Sequence, residues 1–345
     1  RVHRMPQGWS IRNLSCFNVI LSGGYGNRPE PTGHATYPQP LCTKIMKRLI
    51  FMSLMTIATI NSYGLKPERE YRLRPENYAL IYRELNVTTN DGLKIKTWFF
   101  PAQDSVLDNE WKKAWKNPTR KEYKLKYNEP RPTIIICNGD AGNMYILIQY
   151  AKELVTHGYN VVTFDWRGFG ESDNWETNED QLVYIEYLYD YNAVLDEVLK
   201  QREVDEKRID LYGFSTGAYL SFAIFSQRSE TKAYVGRALL TNFETSVKLL
   251  KKKRPERNII IPENYPLELM PEKIAEKIEK PSFLIVGELD DITPVSMSLE
   301  IFNLLKGEKQ LWVVKNATHG GEKGPDFIDF KKFMLQLKTF YDTNL

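Results

Sequence analysis

The sequence predicts an α/β protein: a mostly parallel sheet of about eight strands, with helices on both faces and a short lid insertion. Three observations predict it. From residue 133 onward, short runs of continuous apolar residues alternate with helix-like segments, the grammar of a parallel sheet covered on both sides. The run Ile209-Asp-Leu-Tyr-Gly-Phe-Ser-Thr-Gly-Ala218 places Gly-x-Ser-x-Gly where a strand-like stretch passes into a helix-like one. In that pattern the serine sits on a sharp strand-to-helix turn, and the glycines let strand and helix approach closely. Lastly, the one histidine that follows the final strand-like run, His319, lies in a loop on the same predicted edge as Ser215.

The elements follow in order. Residues 1–45 are rich in Pro, Gly, Arg and Asn without periodicity, and are expected to be disordered or untranslated. Met46 opens a different pattern. Lys47 and Arg48 precede an apolar run at 49–60, and Asn61-Ser-Tyr-Gly64 offers small residues near a cut. That is signal-peptide grammar, so 46–64 is expected to be a signal peptide with translation starting at Met46 and cleavage near Gly64. The domain is expected to occupy 65–345 and to be secreted or periplasmic. Tethering by an uncleaved signal is the alternative.

The chain of 345 residues carries 47 basic and 44 acidic side chains, a formal charge of +3. Residues 1–64 hold seven of the basic residues and one acid, which leaves 65–345 at −3. The remaining domain has no basic surplus of the kind that binds nucleic acid, and no nucleic-acid partner is expected. Of three cysteines only Cys137 lies past the leader, so neither an intrachain disulfide nor a zinc-type spacing is available, and no metal or organic cofactor is expected. Nothing in the sequence sets the oligomeric state.

Residues 78–88 and 93–100 read as strands, joined by the hairpin signal Asn90-Asp-Gly92. Residues 101–132 form an insertion whose Trp111, Trp115, Tyr123 and Tyr127 either anchor it to the domain or line a binding surface. Strands follow at 133–137, 160–164, 209–213, 235–241, 283–287 and 310–315, with helices at 144–157, 181–202, 218–227 and 326–341. Between 242 and 280 the alternation breaks. Lys251-Lys-Lys-Arg-Pro255 and three further prolines mark an irregular insertion placed to act as a lid, followed by a charged helix from Glu272. The basic cluster reads as a solvated face, with an acidic substrate or a membrane surface as the other possibility.

A serine hydroxyl needs a base held in the right tautomer, and the base needs an anionic partner. Past the leader the histidines are His157 and His319, and His157 ends a helix that returns to the opposite sheet edge. The acid loop Gly287-Glu-Leu-Asp-Asp-Ile-Thr-Pro294 offers Glu288, Asp290 and Asp291. Asp290 is favoured, with Asp291 capping or solvating the loop. The order Ser215, Asp290, His319 is an established one for such triads.

Together with Asn138-Gly-Asp-Ala-Gly-Asn143 and Phe164-Asp-Trp-Arg-Gly-Phe-Gly-Glu-Ser172, these motifs make residues 91–345 resemble the α/β-hydrolase superfamily of serine hydrolases. Within it the chain is most similar to the bacterial esterase and serine-aminopeptidase-like group. The resemblance implies an α/β-hydrolase fold, a Ser215–Asp290–His319 triad, and an oxyanion hole built from the backbone amides of Asp140 and Thr216. It implies a small-molecule acyl substrate and no cofactor; carboxylic esters are expected over peptides because the lid insertion is short and no second binding domain is read in the sequence, and no stable membrane span is expected once the signal is removed. A peptidase or aminopeptidase, an acyltransferase, or a non-catalytic binding module on the same fold are the alternatives. The chain departs from the family in having Asn138 where His is usual. Asp140 is a second oddity, since its carboxylate opposes an oxyanion unless it turns away or pairs with a cation, for which Arg167 is a candidate.

Overall fold

The computed structural model describes residues 64–345, so the expected leader at 1–45 and all but the last residue of the expected signal peptide lie outside the described residues. Eight strands form one sheet: β1 (Arg83–Thr88), β2 (Lys94–Phe100), β3 (Arg131–Cys137), β4 (Asn160–Phe164), β5 (Val204–Phe214), β6 (Thr231–Arg237), β7 (Ser282–Gly287) and β8 (Lys309–Val314). Their spatial order is β1-β2-β4-β3-β5-β6-β7-β8. The β1–β2 hairpin and the β2–β4 pair are antiparallel, and every other pairing is parallel. The hairpin turns at Gly92, whose φ of 91° suits the predicted Asn-Asp-Gly turn.

Side chains alternate between the two faces, as the pleat requires. Ile135, Val162 and Leu211 join one apolar cluster with helices α3 (Tyr187–Leu199), α4 (Thr216–Gln227) and α6 (Val295–Leu304). Ile134, Ile136, Val161 and Tyr212 join the other with α2 (Ile148–Val155) and α7 (Phe330–Asn344). Two further helices lie in the insertions: α1 (Asp108–Lys116) in the first and α5 (Phe243–Lys253) in the second.

Several boundaries differ from the sequence reading, and four of them have a clear local reason. The first strand begins at Arg83 rather than 78. Pro75–Tyr78 forms a 3-10 turn instead, and both backbone groups of Ile81 pair with the Gln103 side chain. The helix expected at 181–202 runs only over Tyr187–Leu199, because Leu182 N–H donates to the Ile260 carbonyl and ties this stretch to the second insertion. The strand expected at 235–241 is Thr231–Arg237; Ala238, at φ 58°, turns the chain out of the sheet. The charged helix expected from Glu272 is one short turn, Pro271–Ile274, followed by a 3-10 turn.

The Asp165 motif holds the loops in place. Asp165 accepts from Met144 N–H at 2.6 Å and from the Tyr71 hydroxyl. Arg167 is fully buried between Asp91 and Asp190, with nitrogen–oxygen distances of 2.6 and 2.7 Å. It therefore does not serve as a counter-ion for Asp140, and that expectation is corrected: its guanidinium is already occupied by two carboxylates.

Candidate active site

Ser215 is the hinge between β5 and α4. Its φ of 54° and ψ of −119° are strained for a residue with a side chain, a cost of about 1–3 kcal/mol. The turn is possible because strand and helix nearly touch. A Cβ on Gly217 would lie 2.0 Å from the Asn138 carbonyl oxygen, and one on Gly213 would lie 2.3 Å from Ser221 Oγ. The Ser215 N–H donates to the Arg237 carbonyl at 2.9 Å, which fastens the elbow to the end of β6.

The three predicted side chains meet. His319 Nε2 lies 3.0 Å from Ser215 Oγ, and His319 Nδ1 lies 2.9 Å from Asp290 Oδ2. With a carboxylate on one side and a hydroxyl on the other, the imidazole carries its proton on Nδ1 and offers Nε2 as acceptor. Asp290 Oδ1 accepts from the amides of Ile292 and Thr293 at 2.9 Å each, and Oδ2 accepts from the Thr293 hydroxyl at 2.9 Å. Burial alone raises this carboxyl, but His319 and those amides hold it below its ordinary value, so it stays ionised. The competing acids have other work. Glu288 accepts from the Asn316 amide, and Asp291 pairs with Lys253 of α5. His157 sits at the end of α2 with Nδ1 2.7 Å from the Glu153 carbonyl.

The two candidate oxyanion amides flank the serine. Thr216 is the first residue of α4, a position whose N–H has no intrahelical acceptor. Asp140 follows β3 in a loop braced by Asn138, whose amide donates to the Ala141 carbonyl at 3.1 Å, and by Lys66 N–H on the Asp140 carbonyl at 2.7 Å. Asn138 thus holds the loop without an imidazole.

Ser215, His319, Asp140 and Thr216 all line one cavity of about 390 Å³. Its walls come from both apolar clusters. Leu182, Tyr219, Leu240 and Leu250 belong to one face of the sheet, and Tyr78, Tyr145, Tyr150 and Phe330 to the other. Both insertions contribute. Ser246 and Leu250 come from α5, where a lid was expected, and Trp115 comes from the first insertion, its ring edge-on to Tyr78 at 5.9 Å. Tyr123 and Tyr127 instead anchor that insertion, the former on Glu203 at 2.9 Å and the latter under the Arg131 guanidinium. Lys251 and Lys252 are exposed.

Sequence reasoning missed the side chains that pack behind Ser215 and His319. The Arg237 guanidinium lies 3.8 Å from the centroid of Phe214, the residue before the serine, and the Phe214 and His319 rings are 5.2 Å apart. Arg237 pairs with Asp326, which also accepts from the Tyr150 hydroxyl at 2.5 Å. A lone arginine closing a buried strand was the available signal, together with an aspartate seven residues past His319. Among the described residues no cluster of His, Cys, Asp and Glu is arranged to hold a metal ion, and no helix is long and apolar enough to cross a membrane.

A family model described as the alpha/beta hydrolase fold matches residues 132–243. An uncharacterized protein of Mycobacterium tuberculosis is 24% identical over 258 residues, 75% of this chain and 78% of its own. In structure, an esterase of Pyrococcus furiosus superposes with a TM-score of 0.62 over 82% of this chain and 98% of its own, at 19% identity. A puromycin-hydrolyzing peptidase of Mycobacterium tuberculosis does so with a TM-score of 0.59 over 80% of this chain and 41% of its own, at 16% identity. Taken with the strand order and the elbow, these likenesses establish that the chain has the α/β-hydrolase fold.

Proposed function

We propose that this protein is a serine hydrolase that cleaves carboxylic esters through an acyl-enzyme on Ser215. One observation carries the reading: the hydrogen-bonded relay from Asp290 through His319 to Ser215 Oγ, at 2.9 and 3.0 Å, opening into a largely apolar cavity. The esterase and peptidase likenesses support a hydrolase.

In the proposed mechanism Ser215 Oγ attacks the ester carbonyl while His319 Nε2 takes the hydroxyl proton. Asp290 stabilises the imidazolium that forms. The tetrahedral oxyanion is met by the amides of Asp140 and Thr216, each contributing about 3 kcal/mol by the usual effect of one such donor. Collapse expels the alcohol, which receives the proton from His319, and leaves the acyl group on Oγ. Water then repeats the sequence: His319 takes its proton, the hydroxide oxygen bonds to the acyl carbon, and Ser215 leaves with the proton returned. Ester cleavage is favoured over peptide cleavage because the esterase likeness spans nearly the whole of its partner and the peptidase likeness under half.

The test is reaction with a fluorophosphonate probe. The folded protein is expected to label covalently, and Ser215→Ala is expected not to label. A folded wild-type protein that stays unlabelled overturns the proposal.

A further inference from the structure

The charges that line the catalytic cavity do not balance. Asp326 is matched by Arg237, and Asp291 by Lys253. Asp290 has His319. Asp140 lines the same cavity, partly exposed within it, and among the described residues no cationic side chain pairs with it. Its nearest arginine influence is Arg257, whose guanidinium is already held by the Glu179 carbonyl at 3.2 Å and Asp180 at 3.6 Å. Desolvation pushes this carboxyl up to about 6, against the pull of His319, so near neutral pH it is an ion without a counter-ion.

We infer that Asp140 is the counter-ion for a positively charged nitrogen on the substrate, carried on its acyl side a short distance from the scissile carbonyl. The inference rests on the serine-hydrolase reading of the same site and narrows its substrate class to aminoacyl-type esters. Two features of the cavity fit such a group. Aromatic side chains, Trp115, Tyr145 and Tyr219, line the cavity, and rings of this kind attract an ammonium ion. The position of Asp140 also links charge to catalysis. An ammonium group beside the Asp140 loop neutralises the carboxylate as the oxyanion develops, whereas a neutral substrate leaves an unpaired negative charge in the same cavity as that oxyanion. Discrimination is therefore expected in the acylation step as well as in binding.

The experiment compares methyl esters that differ only in replacing ammonium by methyl: alanine methyl ester against methyl isobutyrate, and β-alanine methyl ester against methyl butanoate. At neutral pH the intact protein is expected to favour the cationic member of each pair in kcat/KM by about tenfold or more, the effect of one partly desolvated charge pair. Asp140→Asn is expected to lower kcat/KM for the cationic esters and raise it for the neutral ones, so that the ratio reverses. Equal or greater activity on the neutral esters in the wild-type protein overturns the inference, and so does a ratio that Asp140→Asn leaves in place. The wild-type ratio, taken relative to the ratio for hydroxide-catalysed hydrolysis of the same esters, stands whether or not the variant folds. Fluorophosphonate labelling separates the two proposals. A labelled protein that prefers the neutral esters loses only the Asp140 assignment, while an unlabelled folded protein loses the hydrolase reading itself.

Discussion

Asp326→Asn isolates the ion pair behind the elbow. In the wild-type protein the Arg237 and Asp326 side chains are 7% and 12% exposed, so the charges face each other in a largely desolvated wall. Removing the carboxylate charge leaves the Arg237 guanidinium buried without a counter-ion, which costs about 3–5 kcal/mol. Against a typical total of about 5–15 kcal/mol, that is a large fraction of the stability. The Tyr150 hydroxyl also exchanges a charged acceptor for a neutral one, a loss on the order of 1 kcal/mol. Urea titration at neutral pH measures the change as a shift in midpoint at constant slope. The companion variant, Arg237→Met with Asp326→Leu, removes both charges together and is expected to recover most of the loss, because neither desolvation cost remains. The same pair bears on turnover. Arg237 lies on Phe214, and Phe214 separates it from His319, so a displaced guanidinium lets the imidazole drift from Ser215. Asp326→Asn is therefore expected to lower kcat more than it raises KM. A cost below about 1 kcal/mol, or a double variant as unstable as the single, refutes the account of this pair as a mutually dependent buried unit.

Other expectations follow from single positions. Gly217→Ala puts a methyl group 2.0 Å from the Asn138 carbonyl oxygen, so strand and helix must separate at the elbow. A loss of about 3 kcal/mol or more and of fluorophosphonate labelling is expected, and near-normal labelling contradicts the close approach described. Asp210, fully buried in β5, has its carboxyl pushed up to about 8 by desolvation, with a weak opposing pull from the Tyr341 hydroxyl. Its folded pKa lies above the unfolded value of about 3.9, so the native state holds the proton more tightly. The stability it contributes is complete below about pH 4 and is lost as pH rises through about 8. Asp165 and Asp190, each raised to about 7 by burial, act in the same direction. Asp210→Asn is expected to flatten the fall in stability between pH 4 and 8 measured by urea titration, and an unchanged slope removes Asp210 from the explanation.

Much of the site was legible because its parts are short and local. Gly-x-Ser-x-Gly states its own geometry: two residues without Cβ around a serine require strand and helix to pass at van der Waals distance. His319 and Asp290 were legible by position, since each follows a buried apolar run at one sheet edge. The misjudged boundaries share another cause. Residues 78–82 and 181–186 are apolar and periodic enough for a strand and a helix, yet their backbone groups are taken by the Gln103 side chain and by the second insertion at Ile260. Those partners are distant in sequence, and periodicity does not report them.

The alternation of strands and helices, the elbow, and the serine and histidine that meet there were readable from the residues alone, because each is marked within a short stretch, whereas the assembled loop selects Asp290 over Glu288 and Asp291. Tertiary structure alone decided which cation answers which carboxylate. Arg167 went to Asp91 and Asp190, Arg237 to Asp326 and Lys253 to Asp291, and Asp140 was left facing the cavity. Ion pairing is settled by distance and burial across the assembled core, and neither quantity is written in the order of the residues.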